Sequence, residues 1–202
     1  MSAAPRVLVV GAGIGGLAAA LALQRAGLQP RVLEQAATLG DVGAGLSITP
    51  NAARALAFLG LAAPLAAAAC VPPVQVTRHF RSGEQLLSID RSDTVERYGA
   101  QYYQLHRGDL HAMLLAAVRA NDPVAVSTAA GVRGARLDDE RVELELADGE
   151  RLQADLVVGA DGLRSTLRAA LFDDPEPQFS GYVAWRGLVP SAAVAHLQLG
   201  PG

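Results

Sequence analysis

Short apolar runs that end in glycine punctuate this chain, and between them the spacing switches from the helical to the alternating period. Arg6 to Val10 holds a short apolar run rich in β-branched valine, the pattern of a strand buried on both faces, and Leu17 to Ala26 carries the following helix. Gly27 ends that helix and Arg31 to Glu34 forms the next strand, which makes a β-α-β unit. After a glycine-rich loop, Gly40 to Gly45, Thr49 and Pro50 read as N-cap and first residue of a helix that Gly60 closes. The alanine-rich stretch to Ala69 continues helically. Beyond Pro72-Pro73 the texture changes: Val74 to Phe80 and Leu86 to Asp90 predict a hairpin around Ser82-Gly83. Asp109 to Ala120 returns to helical spacing, with Leu110, Met113, Leu114 and Val118 on one face. Val132 to Leu137, Val142 to Leu146 and Arg151 to Ala154 predict an antiparallel meander turning at Asp138-Asp139 and Asp148-Gly149. A second buried strand, Leu156 to Ala160, follows, and Gly181 to Val189 predicts a last one.

Two of these stretches share a design. VLVVGAGIGG (Val7 to Gly16) and DLVVGADGLRSTLR (Asp155 to Arg168) each run from an apolar strand through glycines into a helix. Two such turns on one chain point to a single extended ligand held from both sides. Composition narrows the field: half of the 202 residues are apolar and the net charge is only -3, which disfavours a nucleic-acid binder or a disordered tail. Cys70 is the one cysteine, so an internal disulfide or cysteine-cluster metal site is excluded and a reducing, cytoplasmic compartment is expected. Glycines interrupt the apolar run from Val7 to Leu23 where a strand becomes a helix, which argues against a signal or membrane segment.

Gly11, Gly13 and Gly16 satisfy G-x-G-x-x-G in the context that motif requires, after a strand and before a helix. The first glycine permits the tight turn, the second lets a pyrophosphate approach the backbone, and the third allows helix and strand to pack closely. Glu34 ends the second strand about 20 residues on, where a carboxylate accepts hydrogen bonds from an adenosine ribose. The alternative is a glycine turn that merely packs; strand, helix and acid together favour an adenine dinucleotide.

A nicotinamide dehydrogenase would continue with another crossover to a third parallel strand. This chain runs instead through GAGLSITPNAARAL, a hairpin, YYQLHRGDLHAMLL, a meander and GADG. At these residues it resembles the flavin-dependent aromatic-ring monooxygenases, those similar to salicylate and para-hydroxybenzoate hydroxylases, over nearly the whole chain. The resemblance implies an α/β fold: a Rossmann-like FAD-binding parallel sheet with antiparallel insertions and the start of a substrate-domain sheet. It implies FAD on Gly11, Gly13, Gly16 and Glu34, Arg107 of LHRGDL beside the flavin, and Asp161 of the Asp-Gly pair in FAD and NAD(P)H binding. Each of the last two has another reading: Arg107 as a helix-start partner of Asp109, and Asp161 as a helix-initiating turn residue. Arg164 and Arg168 read as solvated charges rather than cofactor contacts.

The implied reaction is hydroxylation of a small aromatic substrate: NAD(P)H reduces the flavin, molecular oxygen adds to give a C4a-hydroperoxide, and one oxygen passes to the ring. In that chemistry the cofactor does the difficult step, so no catalytic side chain is assigned. Ser165 lacks G-x-S-x-G, and His79, His106, His111 and His196 show no metal-ligand spacing. Tyr182 and Trp185 line an aromatic pocket or pack a core. The expected organisation is an FAD-binding domain over 1–178, with a hairpin inserted at about 74–90 and a meander at about 131–154. The span 179–202 begins a substrate-binding domain. No Gly-Asp motif of the family follows GADG, so the chain reads as the N-terminal portion of a monooxygenase. Part of the FAD site and most of the aromatic pocket would then be absent, which predicts weak FAD binding or none, and the last strand would lack neighbours, which predicts self-association through an unpaired edge. Two other readings stand beside this one: a non-catalytic nucleotide-binding module needing a complementary chain, and an NAD-dependent dehydrogenase.

Overall fold

The opening apolar run forms β1 (Val7–Val10), buried at every position, and the chain turns into α1 (Ile14–Arg25) and returns as β2 (Pro30–Leu33). The computed structural model describes residues 4–40, 43–138, 140–172, 177–185 and 187–197. Next come β3 (Gly45–Ile48), α2 (Pro50–Phe58), α3 (Ala62–Ala68), the hairpin strands β4 (Val74–Arg78) and β5 (Gln85–Asp90), α4 (Thr94–Tyr98) and β6 (Tyr103–His106). The chain continues through α5 (Arg107–Asn121), β7 (Val126–Ser127), β8 (Val132–Leu137), β9 (Val142–Leu146), β10 (Arg151–Ala154), β11 (Leu156–Gly159) and α6 (Thr166–Phe172) to a 3-10 turn at Ser191–Leu197. Packing divides these residues into two units, Met1–Asp41 with His111–Val183, and Val42–Leu110 with Ala184–Gly202. No helix among the described residues is long and apolar enough to cross a membrane.

The first unit is a four-stranded parallel sheet in the order β11-β1-β2-β7, beside the antiparallel meander β10-β9-β8. Strand alternation sorts its apolar residues. Leu8, Val10 and Leu33 face one way and form a core with Leu144 and Leu146 of β9, Ala154 of β10 and Leu167 of α6. Val9 pairs in register with Val32; both are wholly buried and face the other way. Helix α1 buries Gly16, Leu17, Ala20 and Leu21 and packs on β1 and β2. From His111 onward α5 runs beside α1, where the Gln24 amide donates to the Val118 carbonyl (3.1 Å) and the Asn121 amide donates to Gln24 Oε1 (3.0 Å). Burying Leu114 and Val118 of α5 completely contributes about 1.5–3 kcal/mol for each side chain.

In the second unit β3 pairs antiparallel with β6, and Cys70 bridges to Gln104 at the edge of that pair. Ile48, Leu56, Leu65, Tyr102 and Leu105 are among its buried apolar side chains. The Arg91 guanidinium lies 4.6 Å from the centre of the Tyr102 ring, and Thr94 donates through its hydroxyl to the Arg91 carbonyl (2.6 Å). The β4-β5 hairpin is largely exposed.

Two expectations need correction. The strand expected at Gly181 to Val189 does not form among the described residues of that span, Arg186 lying outside them. A strand exists only with a partner to complete its ladder, and here Tyr182 and Trp185 are 87% and 96% exposed, so they pack into no core among the described residues. The strand at Leu156 is not buried on both faces. It is β11, the edge of the parallel sheet, and Leu156 is 45% exposed. Of the expected Asp138-Asp139 turn, Asp138 exchanges backbone hydrogen bonds with Arg141, and Asp139 lies outside the described residues.

Candidate functional site

Three strand ends meet at one place in the first unit. Strand β1 pairs in parallel with β2 on one side and β11 on the other, and Val10 is level with both Leu33 and Gly159. The residues that follow, Gly11, Glu34 and Ala160-Asp161, therefore emerge side by side. The chain leaves β1 toward β2 and only later returns to its opposite edge, so β1 is where the strand order reverses, and such switch points open a crevice at the carboxyl ends of strands. That crevice is a cavity of about 480 Å³ lined by Gly11, Gly13, Glu34, Asp161, Gly162 and Arg164, among others. The size falls within the usual range of small-molecule sites.

The glycine loop is shaped by two different pressures. At Gly11, φ is +101°, and a Cβ there would come within 2.4 Å of the Ala160 carbonyl oxygen. A Cβ at Gly16 would come within 1.8 Å of the Gly11 carbonyl oxygen. Crowding by the chain itself dictates those two positions. Around Gly13 and Gly15 no atom lies within 4 Å of a Cβ position, so the backbone is open to close approach. The Gly13 N–H has no protein acceptor among the described residues, while its carbonyl accepts from Leu17 (2.9 Å). An open backbone, a free amide and the positive end of α1 fit the pyrophosphate of a dinucleotide.

Glu34 closes the loop from the side. Its Oε2 accepts from the Ala12 N–H and its Oε1 from the Ala36 N–H, both at 2.8 Å. Those bonds fix the carboxylate in the cavity wall, and its remaining lone pairs suit ribose hydroxyls. On the far side of Ala12, His111 Nε2 donates to the Ala12 carbonyl at 2.7 Å. Asp161 lines the same cavity but its carboxylate is committed to α6: Oδ1 accepts from the Ser165 hydroxyl (2.7 Å) and Oδ2 from the Leu167 N–H (3.1 Å). Ser165 Oγ in turn accepts from the Arg168 N–H (2.9 Å), so it is the N-cap of α6. The helix-initiating reading of Asp161 thus describes its side chain, and its place in the cavity wall comes with it.

Arg107 belongs to the second unit. Its N–H donates to the Ala44 carbonyl at 3.1 Å, and a Cβ at Gly43 would come within 2.8 Å of Arg107 Cβ. The glycine-rich loop after β2 is therefore small where it passes over this arginine. Two residues of the first unit escaped the sequence reading. His111 carries no spacing signal because its partner is a backbone carbonyl far away in sequence. Arg164, read as a solvated charge, is exposed and yet lines the cavity, as its position three residues after Asp161 in the second glycine turn would have allowed.

Residues 5–194 match the family described as FAD binding domain. The chain is 43% identical over 186 residues to the 3-amino-4-hydroxybenzoate 2-monooxygenase PtnB3 of Streptomyces platensis, covering 92% of this chain and 46% of that protein. It is 38% identical over 197 residues to the 6-hydroxynicotinate 3-monooxygenase of Pseudomonas fluorescens, covering 96% and 50%. Among solved structures, Klebsiella pneumoniae HpxO complexed with FAD and uric acid superimposes with a TM-score of 0.71 at 30% identity, covering 82% of this chain and 41% of that one. The chain spans about half the length of the curated relatives it matches. With both glycine turns opening on one cavity and the family match running across nearly all of the sequence, the chain belongs to the FAD-binding domain family found in flavin-dependent aromatic-ring monooxygenases.

Proposed function

We propose that this chain provides the FAD-binding part of an NAD(P)H-using monooxygenase that hydroxylates a small aromatic substrate. The observation that carries the reading is the shared cavity: Gly11, Gly13, Glu34 and Asp161 come from three neighbouring strand ends and line one crevice. When bound, FAD supplies the redox and oxygen-transfer chemistry, drawing on NAD(P)H and molecular oxygen. The protein's part is to hold and orient it. The Gly13 amide and the first turn of α1 take the pyrophosphate, and Glu34 takes the adenosine ribose. Arg107 offers a planar fork of donors to the flavin or phosphate oxygens, and Asp161 holds the second glycine turn against the cofactor. The relatives named for hydroxybenzoate and hydroxynicotinate substrates support a small aromatic acid as the substrate class.

In this reading residues 1–178 form the FAD-binding domain, 179–202 begin a substrate-binding domain, and the compartment is cytoplasmic. The exposed apolar residues Phe179, Tyr182, Val183 and Trp185 favour self-association of the isolated chain. FAD titration of the 202-residue chain, with ADP as competitor, tests the binding claim. FAD is expected to bind weakly and to be displaced by ADP. Binding that ADP leaves untouched would refute the assignment of the pyrophosphate to the Gly11–Gly16 loop. For the whole protein, NAD(P)H oxidation is screened against aromatic acids with product analysis; stimulated oxidation without a hydroxylated product counts against oxygen transfer.

A further inference from the structure

We propose that His111 is a positioning residue for the glycine loop, one that fixes the direction of the Gly13 N–H toward a bound pyrophosphate. The proposal rests on the dinucleotide reading above. Ala12 is 1% exposed, and both of its backbone polar groups are held: the N–H by Glu34 Oε2 at 2.8 Å and the carbonyl by His111 Nε2 at 2.7 Å. A carbonyl only accepts, so the ring nitrogen facing it carries the proton.

The consequence follows from peptide geometry. In a trans peptide the C=O of one residue and the N–H of the next point in opposite directions, and the described chain contains no cis bond. Holding the Ala12 carbonyl against α5 therefore turns the Gly13 N–H the other way, and Gly13 lines the cavity with that N–H unpaired among the described residues. The preceding peptide is fixed in the complementary sense. Glu34 takes the Ala12 N–H, which sends the Gly11 carbonyl toward Gly16, where a Cβ would meet it at 1.8 Å. His111 and Glu34 are thus a two-sided clamp on consecutive peptides. The Glu34 side faces the ligand, and the His111 side acts only through the backbone. Helices α1 and α5 are tied near their far ends by Gln24, Val118 and Asn121, so α5 is a firm anchor for the imidazole. Without that donor the buried Ala12 carbonyl must find another partner, and the cheapest route is rotation of the peptide that presents the Gly13 amide.

The test is an amide NMR titration of the 202-residue chain with ADP and, separately, with adenosine, which lacks the phosphates. His111→Leu is expected to weaken ADP by about five- to tenfold, the worth of one backbone-oriented hydrogen bond, and to shrink the ADP-induced shift of the Gly13 amide. Adenosine affinity is expected to be unchanged. His111→Gln, whose amide reaches the Nε2 position, is expected to recover most of the loss. Equal ADP affinity in wild type and His111→Leu, or equal losses for ADP and adenosine, would overturn the positioning role and leave the dinucleotide reading intact. Absence of any ADP-induced shift at Gly13 and Glu34 in the wild type would sink both. One measurement needs no variant: the imidazole nitrogen shifts of the wild type are expected to report a proton on Nε2 of His111, and a proton on Nδ1 alone would overturn the proposal.

Discussion

Replacing Gly16 with alanine sets two opposed energies against each other at a single atom. In a helix, alanine is favoured over glycine by about 0.5–1 kcal/mol, because glycine gives up more backbone freedom on folding. At Gly16 the added Cβ would stand 1.8 Å from the Gly11 carbonyl oxygen and 3.0 Å from its carbon, and 3.3 Å from Ala160 Cβ. Contacts under 3.0 Å force something to shift, and here the nearest atom is backbone rather than a rotatable side chain. The helix start would have to leave β1 by more than an ångström, opening the seam beneath the wholly buried Leu17. Overpacking of this kind costs about 1–3 kcal/mol and occasionally more. We take the upper part of that range, so Gly16→Ala is expected to lose about 2 kcal/mol net after the propensity gain. For a chain of this size that lowers the thermal midpoint by about 4–8 °C. Gly15→Ala is the matched control. It lies one residue earlier in the same helical turn, its Cβ meets nothing within 4 Å, and it keeps the propensity gain alone. Far-UV circular dichroism against temperature and urea should therefore place Gly15→Ala at or above wild type and Gly16→Ala clearly below it. Gly16→Ala at or above the wild-type midpoint, or a Gly15→Ala loss of the same size, would refute the close-packing account of the seam.

Glu34→Gln leaves one of the Ala12 and Ala36 amides facing an amide donor instead of an acceptor, at a cost of about 1–2 kcal/mol; a lower thermal midpoint and weaker adenosine binding are expected, and an unchanged adenosine titration would remove Glu34 from the site. Asp90 has its carboxyl held below the usual value, first by the Ser92 hydroxyl and then by the Ser92 N–H. Folding therefore favours the ionised form: that support is complete above the unfolded value and is lost as pH falls through the folded one. A carboxyl NMR titration should show a low midpoint for Asp90 that rises in Ser92→Ala, and an unmoved midpoint would discount the Ser92 contacts. Trp185 is the one tryptophan, so its emission reports on the exposed segment directly. It is expected to be that of a solvated indole in dilute solution and to shift blue as concentration rises, with sedimentation showing association; a monodisperse monomer at all concentrations counts against an association-prone segment.

Legibility in the sequence followed the range of the interactions. The meander was readable residue by residue because its information is local: Val142, Leu144 and Leu146 alternate with Glu143 and Glu145, and Asp148-Gly149 marks the turn. The first glycine turn was readable for the same reason, and Thr49-Pro50 opened α2 where expected. The β3-β6 pair went unread, since Gly45–Ile48 is short and its partner lies far down the chain. The LVV run of β11 reads alike whether a strand is central or at an edge; only the sheet order distinguishes them. Glu34 and the glycines announce themselves by spacing. His111 does not, because a backbone carbonyl as partner leaves no trace in side-chain pattern. The Gly181 to Val189 segment carries a strand's composition, but composition supplies no hydrogen-bonding neighbour.

The pairing of β1 with both β2 and β11 has a consequence for synthesis on the ribosome. One flank of β1 is completed almost at once by β2, but the other is made about 150 residues later, which at ~5–20 residues per second is a delay of about 8–30 s. Until then the nascent β1 carries an open edge and the crevice has only one wall. Nucleotide can therefore reward folding only once β11 has been made, and the interval before it is the stage at which a chaperone would matter most.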